Sequence, residues 1–290
     1  MTSYAYDFME VQKFHDLGIK GAGVKVAVMD SGVQQHEAYA LKGGVNAFDS
    51  SKPYDANLNN SHGTKVAGII ARKDGGIAPE CDLYAIRIDD GVSNTNNTQW
   101  AEQEAGMDWA ISNGIDVVVC SFSGYTDSTQ RKAAFRRAYD AGIAIFCSAG
   151  NKQSGYPLTV DRLGYPAKYP FVVTTGNIDE NKDRYPLSCV GKNLNFSNGG
   201  VNVRTTTIDK SNEISSSYGT GLGTSYANPA TAGMYVLYKQ KYPNDSREKI
   251  LQRMYLNAEN IGDAWEYGAG IPKYPTKTYK NIVINRRVVS

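Results

Sequence analysis

The chain has 290 residues, 41% of them hydrophobic, with a formal net charge of +2 at pH 7. That size fits one large α/β domain or two small ones, and so small a charge gives no electrostatic case for nucleic acid or a membrane as partner. No apolar run reaches the ~20 residues that cross a bilayer, and the opening Met-Thr-Ser-Tyr-Ala-Tyr-Asp-Phe-Met-Glu lacks the basic and apolar regions of a signal peptide.

In chain order, residues 5–20 read as a short helix and turn. Strand 24–30 ends on Asp30, and a polar, Asn- and Ser-rich excursion runs to residue 60. A helix over 62–71 opens on His62, followed by strand 82–88, a loop over 91–98 and an amphipathic helix to about Ser112. Asp116-Val-Val-Val-Cys-Ser121 is continuously apolar, as in a strand covered on both faces. Helix 128–141 is expected to turn Arg131, Lys132, Arg136 and Arg137 to solvent. Strand 143–149 runs into the turn Ala149-Gly-Asn151, another strand covers 171–175, and a long apolar helix follows Ser225. Alternating short strands and helices predict a three-layer α/β/α fold around a mostly parallel central sheet. With no internal repeat or low-complexity linker, one domain over residues 1–274 is expected. Residues 275–290 form a C-terminal extension in which Ile282-Val-Ile-Asn reads as a strand.

Four cysteines, Cys81, Cys120, Cys147 and Cys189, show no C-x-x-C pairing. Buried free thiols are the expectation, which favours a reducing, cytoplasmic setting.

The chemistry gathers at three places. A serine hydroxyl is a poor nucleophile and must be exposed and given a base. Gly221-Leu-Gly-Thr-Ser225 is a glycine-rich lead into a helix, which exposes a serine where the helix field favours developing negative charge. Asp30 stands at the C-terminal end of a buried strand, where ligands collect in open α/β sheets. Of the three histidines, His15 and His36 read as surface residues, and only His62 begins a buried helix.

Six motifs occur in order: Asp30-Ser-Gly, His62-Gly-Thr, Gly76-Ile-Ala-Pro79, Ser148-Ala-Gly-Asn151, Gly164-Tyr-Pro-Ala-Lys-Tyr-Pro170 and Gly223-Thr-Ser-Tyr-Ala-Asn-Pro229. Together they resemble the subtilisin-like serine proteases over roughly residues 5–272. The resemblance implies a serine endopeptidase with Ser225 as nucleophile, His62 as general base, Asp30 as its orienter and Asn151 as an oxyanion donor. It further implies that a protein or peptide substrate binds as an extended strand along Ser121, Phe122, Ser123 and Gly124. Gly164 would floor the pocket for the residue before the cut, Tyr165-Pro166 would be a cis turn in its wall, and Trp100 and Phe122 would line the S4 pocket. Asp89 and Asp90 resemble the acidic positions of the proprotein-convertase branch and suggest a basic residue at P2. Lys152 suggests an uncharged one at P1.

Departures matter too. Between the His62 helix and Gly76 stands only Arg72-Lys-Asp-Gly75, too short and too poor in oxygen ligands for the calcium loop of secreted relatives. No cofactor is required on this reading; a strong calcium site is expected to be absent, with room for a weak one elsewhere. Tyr226 and Lys65 replace a common methionine and histidine. Similarity to cytosolic subtilases, some of which remove leader peptides, suggests intracellular turnover or precursor processing. A peptide-binding pseudoprotease is disfavoured by the intact Asp30, His62, Ser225 and Asn151. A dinucleotide site at Gly18-Ile-Lys-Gly21-Ala-Gly23 is disfavoured because those glycines precede a strand instead of following one. The sequence leaves the oligomeric state open.

Overall fold

Along Val26-Ala-Val-Met29 the side chains alternate between two faces and all four are buried. Val26 and Val28 enter one core, Ala27 and Met29 another. A period of two with both faces buried requires cover above and below the strand. The computed structural model, which describes residues 3–55, 60–89 and 100–277, supplies it.

The elements are α1 (Tyr4–Phe8), α2 (Val11–His15), β1 (Lys25–Asp30), β2 (Leu41–Asn46), α3 (His62–Ala71), β3 (Asp82–Arg87), α4 (Trp100–Ser112), β4 (Val117–Cys120), α5 (Thr129–Asp140), β5 (Ala144–Ser148), β6 (Val173–Ile178), β7 (Phe196–Gly199), β8 (Val203–Thr206), β9 (Tyr218–Gly221), α6 (Thr224–Lys241), α7 (Arg247–Leu256) and α8 (Ala264–Tyr267). Seven strands form one sheet in the order β2-β3-β1-β4-β5-β6-β7, with every pairing parallel. β8 and β9 form a separate antiparallel pair. Val66 and Ile70 of α3 and Met234 and Val236 of α6 pack with Val26, Val28, Val117 and Val119 on one face. Met107 and Ala110 of α4 and Ala134, Phe135 and Ala138 of α5 cover Ala27, Met29, Val118 and Cys120 on the other. This is the expected three-layer α/β/α arrangement.

Several readings need correction. The N-terminal segment is two short helices, broken at Glu10, which adopts φ 57°. The excursion to residue 60 contains β2, whose paired glycines and single well-buried hydrophobic, Leu41, hide an edge strand. Strand 171–175 begins later, at Val173, and runs to Ile178. Arg131 is buried: it donates to Tyr169 Oη and Thr126 O and lies against the rings of Tyr165 and Tyr169. His36 is buried as well. Its Nδ1 accepts from Ala38 N–H and its Nε2 donates to Ser217 O, so backbone groups satisfy both nitrogens. His15 is half-buried, its Nδ1 bonded to Tyr6 Oη and its Nε2 to Ile77 O, and burial lowers its pKa. All four cysteines are buried and free. The strand read at Ile282 lies outside the described residues, as does the loop over 91–98.

Candidate active site

Asp30 ends β1, the central strand where the order β3-β1-β4 places strands laid down on either side of it. This is where α/β sheets collect ligands. The carboxylate is 5% exposed and accepts from the N–H of Ser31 at 2.8 Å. Its two oxygens lie 2.8 and 2.9 Å from His62 Nδ1. A carboxylate only accepts, so Nδ1 carries the proton and Nε2 keeps a free lone pair.

His62 is the first residue of α3. The free N–H groups of that helix end are taken up locally: Asn60 Oδ1 accepts from His62 N–H and Ser31 Oγ from Gly63 N–H. The helix comes this close to β1 because residue 63 is glycine. A Cβ there would collide with Gly32 O and stand 3.1 Å from Asp30 Cβ. The His62 side chain stays 31% exposed. Burial pushes the pKa of its imidazole down, but the charge of Asp30 and the hydrogen bond to it push it up, and with a small opposing effect of Lys65 the result lies above the ordinary 6.5. Tyr226 sets its ring edge-on to the imidazole, centroids 5.6 Å apart. Burial, with the nearby charge of Asp30, pushes its phenol up to about 12.

Ser225 is the second residue of α6, after Gly223 at φ 124°. Pro229 lies inside this helix and has no N–H to give the carbonyl four residues back. That carbonyl belongs to Ser225, and Ser121 Oγ donates to it instead, at 2.9 Å. Ser225 Oγ donates in turn to Ser121 O at 2.9 Å, not to His62. Asn228, one turn along, bonds through Nδ2 to Cys120 O and Phe146 O, pinning α6 to β4 and β5.

Asn151 follows β5 on the sharp turn through Gly150, φ 104°. Its Oδ1 accepts from the N–H and hydroxyl of Thr224, while Nδ2 bonds to no described residue and the side chain is exposed. Thr224, Asn228 and Ser121 Oγ thus position the neighbouring groups, a role the sequence analysis did not assign. Their only signal was membership in the motifs around Ser225 and Ser121.

The other expected residues fall as follows. Gly124 exchanges both backbone hydrogen bonds with Tyr165, and Phe122 O accepts from Ser148 Oγ at 3.5 Å. The bond before Pro166 is cis. Gly164 faces Ser123, since a Cβ on it would lie 2.7 Å from Ser123 Cβ. Phe122 is half-buried against the α4–α5 core, and Trp100 opens α4, also half-buried. Asp89 Oδ2 accepts from Asn60 Nδ2, the same side chain that caps His62. Asp90 lies outside the described residues.

The segment where relatives are expected to hold calcium does not fit the ion. The guanidinium of Arg72, 1% exposed, bonds there to Gly75 O and Arg204 O and pairs with Asp74. A fixed cation takes the carbonyls. Among the described residues no group of three or more His, Cys, Asp or Glu could hold a metal, and no helix is long and apolar enough to cross a membrane.

A parallel α/β sheet with an acid–imidazole pair at its carboxyl edge, and a serine at a helix start whose neighbour Tyr226 touches that imidazole, is the arrangement that a serine hydrolase requires. Comparison with known proteins makes this narrower. The subtilase family matches residues 21–271. Subtilisin DY of Bacillus licheniformis is 35% identical over 274 residues, 92% of this chain and 95% of that protein. Subtilisin NAT of Bacillus subtilis subsp. natto is 34% identical over 276 residues, 92% of this chain and 69% of that one. The crystal structure of fervidolysin from Fervidobacterium pennivorans, a keratinolytic enzyme related to subtilisin, superposes with a TM-score of 0.80 at 26% identity, over 92% of this chain and 44% of that chain. The chain belongs to the subtilase family and is a serine endopeptidase.

Proposed function

We propose that Ser225 is the nucleophile, His62 its general base and Asp30 the group that orients the base. The observation that carries this is the contact of both Asp30 oxygens with His62 Nδ1 at 2.8 and 2.9 Å, which leaves Nε2 as the available base. In the reaction the Ser225 hydroxyl turns from Ser121 O to Nε2, gives up its proton and attacks the scissile carbonyl. Asn151 Nδ2 and the unpaired N–H of Ser225 receive the negative oxygen, and each such donor contributes roughly 2.7–4 kcal/mol to transition-state stability. The imidazolium, held by Asp30, then protonates the leaving amine. Water hydrolyses the acyl-enzyme with the same base.

The substrate lies extended against Phe122 and Ser123, with Asp89 near a basic P2 side chain. No metal is needed, because Arg72 occupies the candidate calcium segment. The four reduced, buried thiols support a reducing compartment and a role in intracellular turnover or processing of a peptide precursor. An active-site phosphonate is expected to label the wild type stoichiometrically and to leave Ser225→Ala and His62→Ala unlabelled. Equal labelling of the His62 variant would refute His62 as the base.

A further inference from the structure

Lys152 and Arg162 converge on one aromatic ring. Lys152 Nζ lies 5.3 Å and the Arg162 guanidinium 4.9 Å from the centroid of Tyr125, and Arg162 also stacks on Tyr156 at 3.8 Å. Neither cation has an ion pair or side-chain hydrogen bond with a described residue, and Arg162 Nε is buried without a partner. Other surface cations do have carboxylate partners: Arg136 pairs with Asp140, and Arg137 with Glu104 and Asp108. The carboxylate beside Arg162 in sequence, Asp161, is already committed to Lys168 and to the N–H groups of Leu163 and Lys192. The rings hold the two charges in place without neutralising them.

The position of this pair gives it meaning. Tyr125 Oη reaches Cys189 Sγ at 3.4 Å, and the same sulfur accepts from Lys152 N–H at 3.2 Å, while Cys189 N–H donates to Gly150 O. Tyr125 therefore spans from the Ser121–Gly124 segment to the turn that carries Asn151. A Cβ on Gly150 would stand 3.1 Å from both Tyr125 Oη and Ser123 Oγ, and one on Gly164 would meet Ser123 Cβ. Ser123 and Tyr125 thus make the space between the two glycines shallow, with two positive charges at its edge that no described carboxylate pairs with.

We propose that this is the subsite for the residue whose carbonyl is attacked, and that it takes an acidic side chain, aspartate or glutamate. The proposal rests on the reading of Ser225 as nucleophile and Asn151 as oxyanion donor, and it replaces the uncharged P1 residue expected from Lys152 alone. A carboxylate there gains two cations that no described carboxylate pairs with, whereas a lysine side chain is repelled.

The test uses four matched peptides that differ only at P1, carrying Asp, Asn, Lys or Ala. They are cleaved by wild type, Lys152→Glu, Arg162→Gln and Ser225→Ala, and the scissile bond is identified by mass spectrometry. The wild type should cleave the Asp peptide with a kcat/KM about tenfold or more above that of the isosteric Asn peptide, an advantage that shrinks as salt is added. The Asp-to-Lys ratio should fall in both variants and invert in Lys152→Glu. A ratio taken within one variant is insensitive to the fraction folded. Asp cleaved no better than Asn, or a ratio unmoved in both variants, overturns the proposal while leaving the nucleophile assignment standing. Absence of Ser225-dependent cleavage of all four peptides, Ala included, overturns the nucleophile assignment and this proposal with it.

Discussion

Two influences of opposite sign act on His62, and if it is the proposed base their balance sets the pH at which the enzyme works. Burial favours the neutral ring, while Asp30 favours the charged one and prevails, so the pKa stands above 6.5. A base must be neutral to accept a proton, so the acid limb of kcat/KM should have its midpoint above 6.5. The stabilising effect of the pair has the opposite pH dependence: it is fully present below 6.5 and disappears as pH rises through the folded value. Asp30→Asn removes the charge, offers the wrong partner to Nδ1 and should lower kcat by about 10⁴-fold, the scale known for the aspartate of such triads. Steady-state kinetics across pH check both statements, and a limb at or below 6.5 in the wild type would contradict the first. At this scale Asp30, His62, Ser225 and Asn151 could be proposed from sequence because each sits in a short local motif. His36 and Arg131 were misread for the complementary reason. Their partners, Ser217 O and Tyr169 Oη, are far away in sequence, and a polar side chain with a distant partner looks the same as one left in water.

At the scale of elements, α3 and α6 carry His62 and Ser225, the proposed base and nucleophile, and each helix is placed by a residue with no chemistry of its own. Gly63 lets α3 approach the Gly32 carbonyl, and Pro229 frees the Ser225 carbonyl for Ser121. Gly63→Ala should push the helix start away from β1 and lengthen the contact between His62 and Asp30. A displacement of about 1 Å at a catalytic group costs roughly 10²-fold in rate, so kcat should fall on that scale with the far-ultraviolet circular dichroism unchanged. Wild-type kcat in this variant would show that α3 is not held by that contact. The long helices and the central strands β1, β3, β4 and β5 were readable from apolar runs. β2, β8 and β9 were not, because short strands with glycine or polar residues acquire their character only from the neighbours they pair with.

Across the whole molecule, the connection from α3 to β3 holds the Arg72 guanidinium in the segment where relatives are expected to bind a cation. Arg72→Met would strand the carbonyls of Gly75 and Arg204 and leave Asp74 with Arg204 alone. A loss of about 3 kcal/mol is expected, read as a lower urea midpoint at constant m in a Ser225→Ala background that cannot digest itself. In the same background the melting temperature should be the same with calcium and with EDTA, since an ion that binds the folded state raises it. A rise with calcium would reveal a site that the described residues do not form. The sequence by itself determined the fold class, the order of the main elements and the four residues proposed for catalysis, because hydrophobic period and local motif need no knowledge of distant partners. Only the tertiary structure decided which cations are paired and which are not. Arg72 is enclosed by carbonyls, Arg131 by tyrosines, and Lys152 and Arg162 meet at one ring with no carboxylate among the described residues paired to either. Charge pairing is a property of space, where residues over a hundred positions apart become neighbours.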